Sequence, residues 1–101
     1  VTTYDQARQF GKVYVAALNT GEEAFGALFA PGATVTVLGE AVAPPRVREV
    51  TPPGLSAYRG ARMNADGSFA VLVRVRGRTS VDDREHLLRL DDAGRIVALT
   101  A

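Results

Sequence analysis

Gly21-Glu22-Glu23-Ala24-Phe25-Gly26-Ala27-Leu28-Phe29-Ala30-Pro31-Gly32-Ala33-Thr34-Val35 is the stretch in which the hydrophobic period of the chain changes from helical to extended. Thr20 with Glu23 has the spacing of a capping box, and Glu22 and Glu23 stand where the positive end of a helix dipole favours acids. A short helix is expected there, with Ala24, Ala27 and Leu28 turned inward and Pro31-Gly32 as its stop. From Ala33 to Leu38 the run is β-branched and free of helix formers apart from its ends, so the first strand is expected to begin at Ala33.

Upstream, Thr3 with Gln6 forms another capping-box pattern, followed by Ala7, Phe10, Tyr14, Ala17 and Leu18 on one helical face. This spacing predicts an amphipathic helix over about residues 4 to 19. Downstream, four of the five prolines (Pro44, Pro45, Pro52, Pro53) fall in residues 39 to 57. Adjacent prolines remove backbone donors and bias the preceding residue away from helix, so this segment is expected to be loop, with Val47 to Val50 extended. A meander follows. Its strands are Tyr58 to Asn64, a run from Phe69 that is apolar on both faces and later on one, Ser80 to Leu90, and Arg95 to Thr100. Asn64-Ala65-Asp66-Gly67 and Asp91-Asp92-Ala93-Gly94 are the turns.

At 101 residues, 47% of them hydrophobic, the chain suffices for one modest core, so residues 1 to 101 are expected to form a single domain. Cysteine is absent, which excludes disulfides, thiolate catalysis and cysteine-based metal sites. No apolar run reaches membrane-spanning length, and no basic segment followed by an apolar one opens the chain, so a cytoplasmic location is expected. Residues beyond 45 carry ten Arg against seven acids, a net of +3, which is too little for nucleic-acid backbone binding. Eleven of the twelve basic residues are Arg, a composition typical of a GC-rich bacterial genome.

The passage from Gly21 to Val35, together with Leu88-Arg89-Leu90-Asp91-Asp92-Ala93-Gly94-Arg95-Ile96-Val97, resembles the helix-to-strand passage and closing hairpin of nuclear transport factor 2-like proteins. That superfamily includes ketosteroid isomerases, SnoaL-like polyketide cyclases and limonene epoxide hydrolase, alongside noncatalytic members. The resemblance implies an α+β fold, two N-terminal helices on a curved antiparallel sheet that forms a cone-shaped pocket. Because the proline-rich segment stands where relatives carry a third helix, that helix is expected to be shortened or missing. It also implies a homodimer, a hydrophobic steroid- or polyketide-like ligand, and no cofactor or metal; neither membrane nor nucleic acid is expected as partner.

By the same resemblance, Tyr14 stands where ketosteroid isomerases keep their oxyanion tyrosine, and His86 where they keep a protonated aspartic acid. Val37 stands at the place of the catalytic carboxylate, so a base would have to come from His86, Asp82 or Glu40. Strand parity turns His86, the only histidine, to the face of Leu88 and Leu90, with Asp82 and Arg84 nearer the strand's start. Tyr14 and His86 are the candidate catalytic pair, expected to hydrogen-bond to each other. Val37, Leu88, Tyr58, Asp82 and Arg84 are the candidate substrate-binding residues. Two readings of the pair stand side by side, a polar couple satisfied within a core and a site for general acid or base work in isomerisation or cyclisation. The corresponding functions are an enzyme and a noncatalytic ligand-binding or dimerisation module. Arg74, Arg76 and Arg78 alternate on one strand and are expected to pair with Asp83 and Glu85 on the next.

Overall fold

The computed structural model describes residues 2–44, 47, 56–77 and 81–101. Helix α1 (Tyr4–Thr20) starts at the expected capping box, with Thr3 accepting from the Gln6 amide and the Gln6 side chain accepting from the Thr3 amide. Its buried stripe is Ala7, Gly11, Tyr14, Val15, Ala17 and Leu18. Helix α2 (Glu22–Gly26) differs from expectation at both ends. Gly21 is its N-cap and no side chain caps it, because Thr20 is still the last residue of α1 and its hydroxyl donates back to the Ala16 carbonyl at 2.7 Å. The inward residue of α2 is Phe25, fully buried, whereas Ala27 is exposed and Ala24 half-buried.

Pro31-Gly32 does not stop the helix; it lies inside strand β1 (Phe29–Val37). β1 pairs with β6 (Ile96–Thr100) at Phe29 and again from Thr34, and the surplus residues between bulge out around Gly32, whose φ of 77° favours glycine. A proline without an amide and a glycine with positive φ are tolerated where the ladder is already interrupted. Strand β2 (Glu40–Ala41) is a two-residue return from β1. The meander follows as β3 (Ser56–Met63), β4 (Phe69–Arg76), β5 (Val81–Leu90) and β6, with both expected turns formed. In the first turn Asp66 accepts from the Ser68 amide, and in the second Asp91 accepts from the amides of Ala93 and Arg95.

The sheet order is β2-β1-β6-β5-β4-β3. It is mixed rather than wholly antiparallel, since β1 and β6 run parallel while the other neighbours are antiparallel. A second register shift, between Tyr58 and Gly60, bends the far edge. Of the proline-rich segment, residues 39–44, 47 and 56–57 are described; it is not loop throughout, since it holds β2 and the start of β3. Val47 has helical rather than extended backbone and is fully buried. No described helix is long and apolar enough to cross a membrane.

The core lies between α1 and the inward face of the sheet, with Tyr14, Leu18, Phe25, Phe69, Val71, Leu88, Ile96 and Leu99 fully buried. On the other face Arg74 forms a bidentate pair with its cross-strand neighbour Asp83, at 2.8 and 3.2 Å. Glu85 stands opposite Leu72 and reaches Arg62 instead of an arginine of β4. Arg76 stands opposite Val81, and Arg78 lies outside the described residues.

At Gly11 α1 lies close against the sheet: a Cβ there would stand 2.7 Å from Tyr58 Cε1 and 3.4 Å from Val71 Cγ1. Gly11→Val is therefore expected to crowd both residues and to cost about 1–3 kcal/mol, read as a lower urea midpoint with an unchanged slope.

Candidate functional site

Tyr14 and His86 meet as expected. Tyr14 is carried on the buried stripe of α1, and His86 points inward from β5 by the alternation that also buries Leu88. Tyr14 Oη and His86 Nδ1 are 2.6 Å apart. The phenol is 0% exposed and has no other acceptor among the described residues, so its proton is satisfied by donating to Nδ1. The imidazole proton then resides on Nε2, for which no described residue provides a partner.

Aromatic packing holds this geometry. The His86 ring meets the edge of Tyr14 at 5.5 Å, Tyr14 packs on Phe25 at 5.6 Å, and Phe25 packs on Phe29 at 5.2 Å. Phe25 is thus the site residue that sequence reasoning missed. In a five-residue helix the period cannot reveal which side faces in, and the only available signal was its being the bulkiest apolar residue there.

Cross-strand register places the remaining candidates. Val71 stands opposite His86, and the pairing of Leu87 with Thr100 and of Thr36 with Thr100 sets Ala101 and then Val37 in the same row. Val37 and His86 therefore share one row of the inward face. Leu88 lies in the next row, between Phe69 and Leu99, and is fully buried. In the opposite direction come Tyr58-Val73-Arg84 and then Ser56-Val75-Asp82. Tyr58 is half-buried, while Arg84 and Asp82 are exposed at the strand's start. Glu40 stands opposite Val37 on β2, at the edge of the sheet in the row that holds His86, and is exposed.

The cone-shaped pocket expected around the pair is closed. Tyr14 at 0% and His86 at 1% exposure leave no water-sized space against the phenol. An open groove of about 840 Å³ lies elsewhere, between the first half of α1 and the two hairpin turns. Phe10, Val13 and Leu90 line it with Asp5, Asp66 and Asp92, and none of the seven expected site residues does.

Burial pushes the Tyr14 phenol up, so it stays protonated. Burial, with the repulsion of the Arg84 guanidinium added, pushes His86 down to about 4. Neutral at pH 7, His86 is a hydrogen-bond donor at Nε2 and a weak base.

Neither known protein families nor proteins of curated function match the sequence. Solved structures do. A de novo designed protein with the nuclear transport factor 2 fold superposes with a TM-score of 0.69 at 11% identity, over 99% of this chain and 85% of that one. The fold is that of nuclear transport factor 2-like proteins. A protein of this type and of unknown function from Exiguobacterium superposes with a TM-score of 0.58 at 20% identity, covering 86% of this chain and 91% of its own. A hypothetical protein with the ketosteroid isomerase-like fold from Catenulispora acidiphila, in complex with trimethylamine, gives 0.58 at 17% identity over 87% and 79%. At these identities the likeness is one of nuclear transport factor 2-like architecture.

Two outcomes follow from the pair. Folding lowers the His86 pKa from an unfolded value near 6.5, so protons bind the unfolded chain more readily. The stability contributed by neutral His86 is complete above that pH and is lost as pH falls toward 4. Between pH 7 and pH 5 the loss is expected to be about 2 kcal/mol, read from urea midpoints and flattened in His86→Phe. Tyr14→Phe strands Nδ1 in an apolar core and is expected to cost about 1–3 kcal/mol at pH 7.

Proposed function

We propose that the chain binds a hydrophobic, steroid- or polyketide-like small molecule on the inward face of its sheet and holds one of its oxygens on His86. The observation that carries this reading is the 2.6 Å contact between Tyr14 and His86 Nδ1, which leaves the second ring nitrogen as a donor without a partner among the described residues. Tyr14 sets the tautomer, and the apolar surroundings strengthen any hydrogen bond that Nε2 makes. The reaction class served by such a contact is isomerisation or cyclisation. Neutral imidazole would donate to a carbonyl whose oxygen gains charge, with His86 and Tyr14 as the catalytic pair.

Val37 and Leu88 flank the pair as apolar lining, and Tyr58, Arg84 and Asp82 extend the same face outward. Asp82 is four residues from His86 along an extended strand, roughly 13 Å. A carboxylate at that distance does not reach the carbon next to a carbonyl held on His86. The proposed role of His86 is therefore donor, not base. That a ketosteroid isomerase-like neighbour holds trimethylamine supports small-molecule binding by the architecture.

A second reading, a noncatalytic module that binds ligand or pairs with another copy of the chain, is favoured by the closed packing around the pair. Nitrogen-15 NMR of the single histidine discriminates between them. Under the first reading, hydrophobic ketones and polyketide-like ligands are expected to move the His86 Nε2 resonance and its titration, and Tyr14→Phe to redistribute the tautomers and abolish the response. A His86 spectrum indifferent to every ligand would leave the noncatalytic module standing.

A further inference from the structure

Helix α1 carries more apolar surface than its packing on the sheet uses. Its buried stripe is Ala7, Gly11, Tyr14, Val15, Ala17 and Leu18. Phe10 and Val13, one turn apart beside that stripe, line the open groove of about 840 Å³ instead. Phe10 is half-buried, its ring 6.1 Å from that of Phe69, while Val13 is 52% exposed. Across the groove stands Leu90, also half-buried, at the end of β5. These three side chains form an apolar floor that no described element covers.

The walls of the groove are acidic. The β3–β4 turn contributes Asp66, the β5–β6 turn Asp91 and Asp92, and the first turn of α1 Asp5. Against these four carboxylates the described lining holds one cation, Arg89, and its guanidinium is bound to Asp66 at 2.9 Å. A lining of net charge −3 thus belongs to a chain whose formal net charge is +1. Asp91 is committed as well, accepting from the amides of Ala93 and Arg95. Asp92 has no hydrogen bond or ion pair among the described residues, and Asp5 has only Arg8, at 3.6 Å and outside the lining. One carboxylate on each wall therefore remains available to a cation.

We infer that this groove binds an amphiphilic organic cation, a small molecule whose apolar body rests on Phe10, Val13 and Leu90 and whose ammonium group meets the available carboxylates of the rim. The volume falls within the roughly 300–1,000 Å³ of small-molecule sites. An exposed carboxylate adds only about two- to fivefold to affinity, so the apolar floor has to supply the remainder, and the ligand needs both parts. Anions of the same shape meet a repelling wall and are discriminated against. The groove is separate from the site proposed at His86, since none of the residues assigned there lines it.

Octylammonium chloride and sodium octanoate, similar in length and opposite in charge, test this at pH 7 and low ionic strength by calorimetry and nitrogen-15 amide shift mapping. Octylammonium is expected to bind about tenfold tighter than octanoate, to shift the amides of Phe10, Val13, Gly67 and Leu90, and to leave the His86 ring resonances in place. The preference is expected to shrink in high salt. Asp92, exposed on a turn, can be replaced without disturbing the core. Asp92→Asn is expected to weaken octylammonium about threefold, and Asp92→Lys to bring amine and acid to about equal affinity, both variants melting with the parent. Val13→Lys, at an exposed helical position, is expected to abolish octylammonium binding.

Equal affinity for amine and acid in the parent chain, or a preference untouched by Asp92→Lys, would overturn the assignment of a cation. Octylammonium shifts centred on His86, with the groove amides silent, would overturn the groove and bear on the inward face instead. Tetralysine bound as tightly as octylammonium would overturn the small amphiphile in favour of a basic polypeptide. A concentration-dependent doubling of mass that moves the same amides would overturn it in favour of a second copy of the chain. No binding of either ligand at millimolar concentration would overturn it outright.

Discussion

The hydrogen bond from Tyr14 to His86 joins α1 to β5 across 72 residues of sequence, and the placement of the helix on the sheet depends on it. Neither group tolerates the core alone, since a buried hydroxyl and a buried ring nitrogen each carry a desolvation cost that only a partner repays. Meeting fixes both the rotation of α1 and its height along the strands. One turn before Tyr14, Gly11 then comes down onto Tyr58 and Val71, where there is no room for a side chain. One turn after it, Leu18 is fully buried, and Asn19 bonds the first residue of β3 from both ends of its amide. The contacts of α1 with β3 and β4 thus follow from one polar pair whose geometry allows little sliding.

Much of this was legible in the chain because it is written in short periods. A helical stripe predicted that Tyr14 faces in, and strand alternation predicted the same of His86, so their pairing required only that helix and sheet be packed together. Turn chemistry placed both hairpins for the same local reason. What escaped was non-local. Pro31-Gly32 reads as a helix stop, and only the parallel partner β6 makes it a bulge inside a strand. Phe25 sits in a helix too short to display a face. Glu85 alternates correctly to meet an arginine on β4 yet bonds one strand further away, since its direct neighbour is Leu72.

The comparison with a designed protein of the same architecture separates fold from function more sharply than a natural neighbour does. A chain designed from first principles reaches these helices and this sheet, so the architecture follows from packing and register and carries no chemistry of its own. Function has to be argued from groups whose arrangement packing does not require. The Tyr14 to His86 bond by itself is a satisfied pair within a core. What exceeds that requirement is the second nitrogen of His86, without a partner among the described residues while Tyr14 is served.

The row that holds His86 runs through Ala101 and Val37 to Glu40, so the nearest inward neighbours of the imidazole on that side are apolar and the row's carboxylate stands exposed at the sheet edge, three strands away. Arg84 on the other side repels an imidazolium and attracts an anion, which works against His86 as a base and in favour of its role as a donor. Burial acts in the same sense by disfavouring the charged ring. Helix, strand and charge therefore agree: burial and the Arg84 guanidinium both keep the His86 imidazole neutral, which suits it to donate a hydrogen bond rather than to take up a proton.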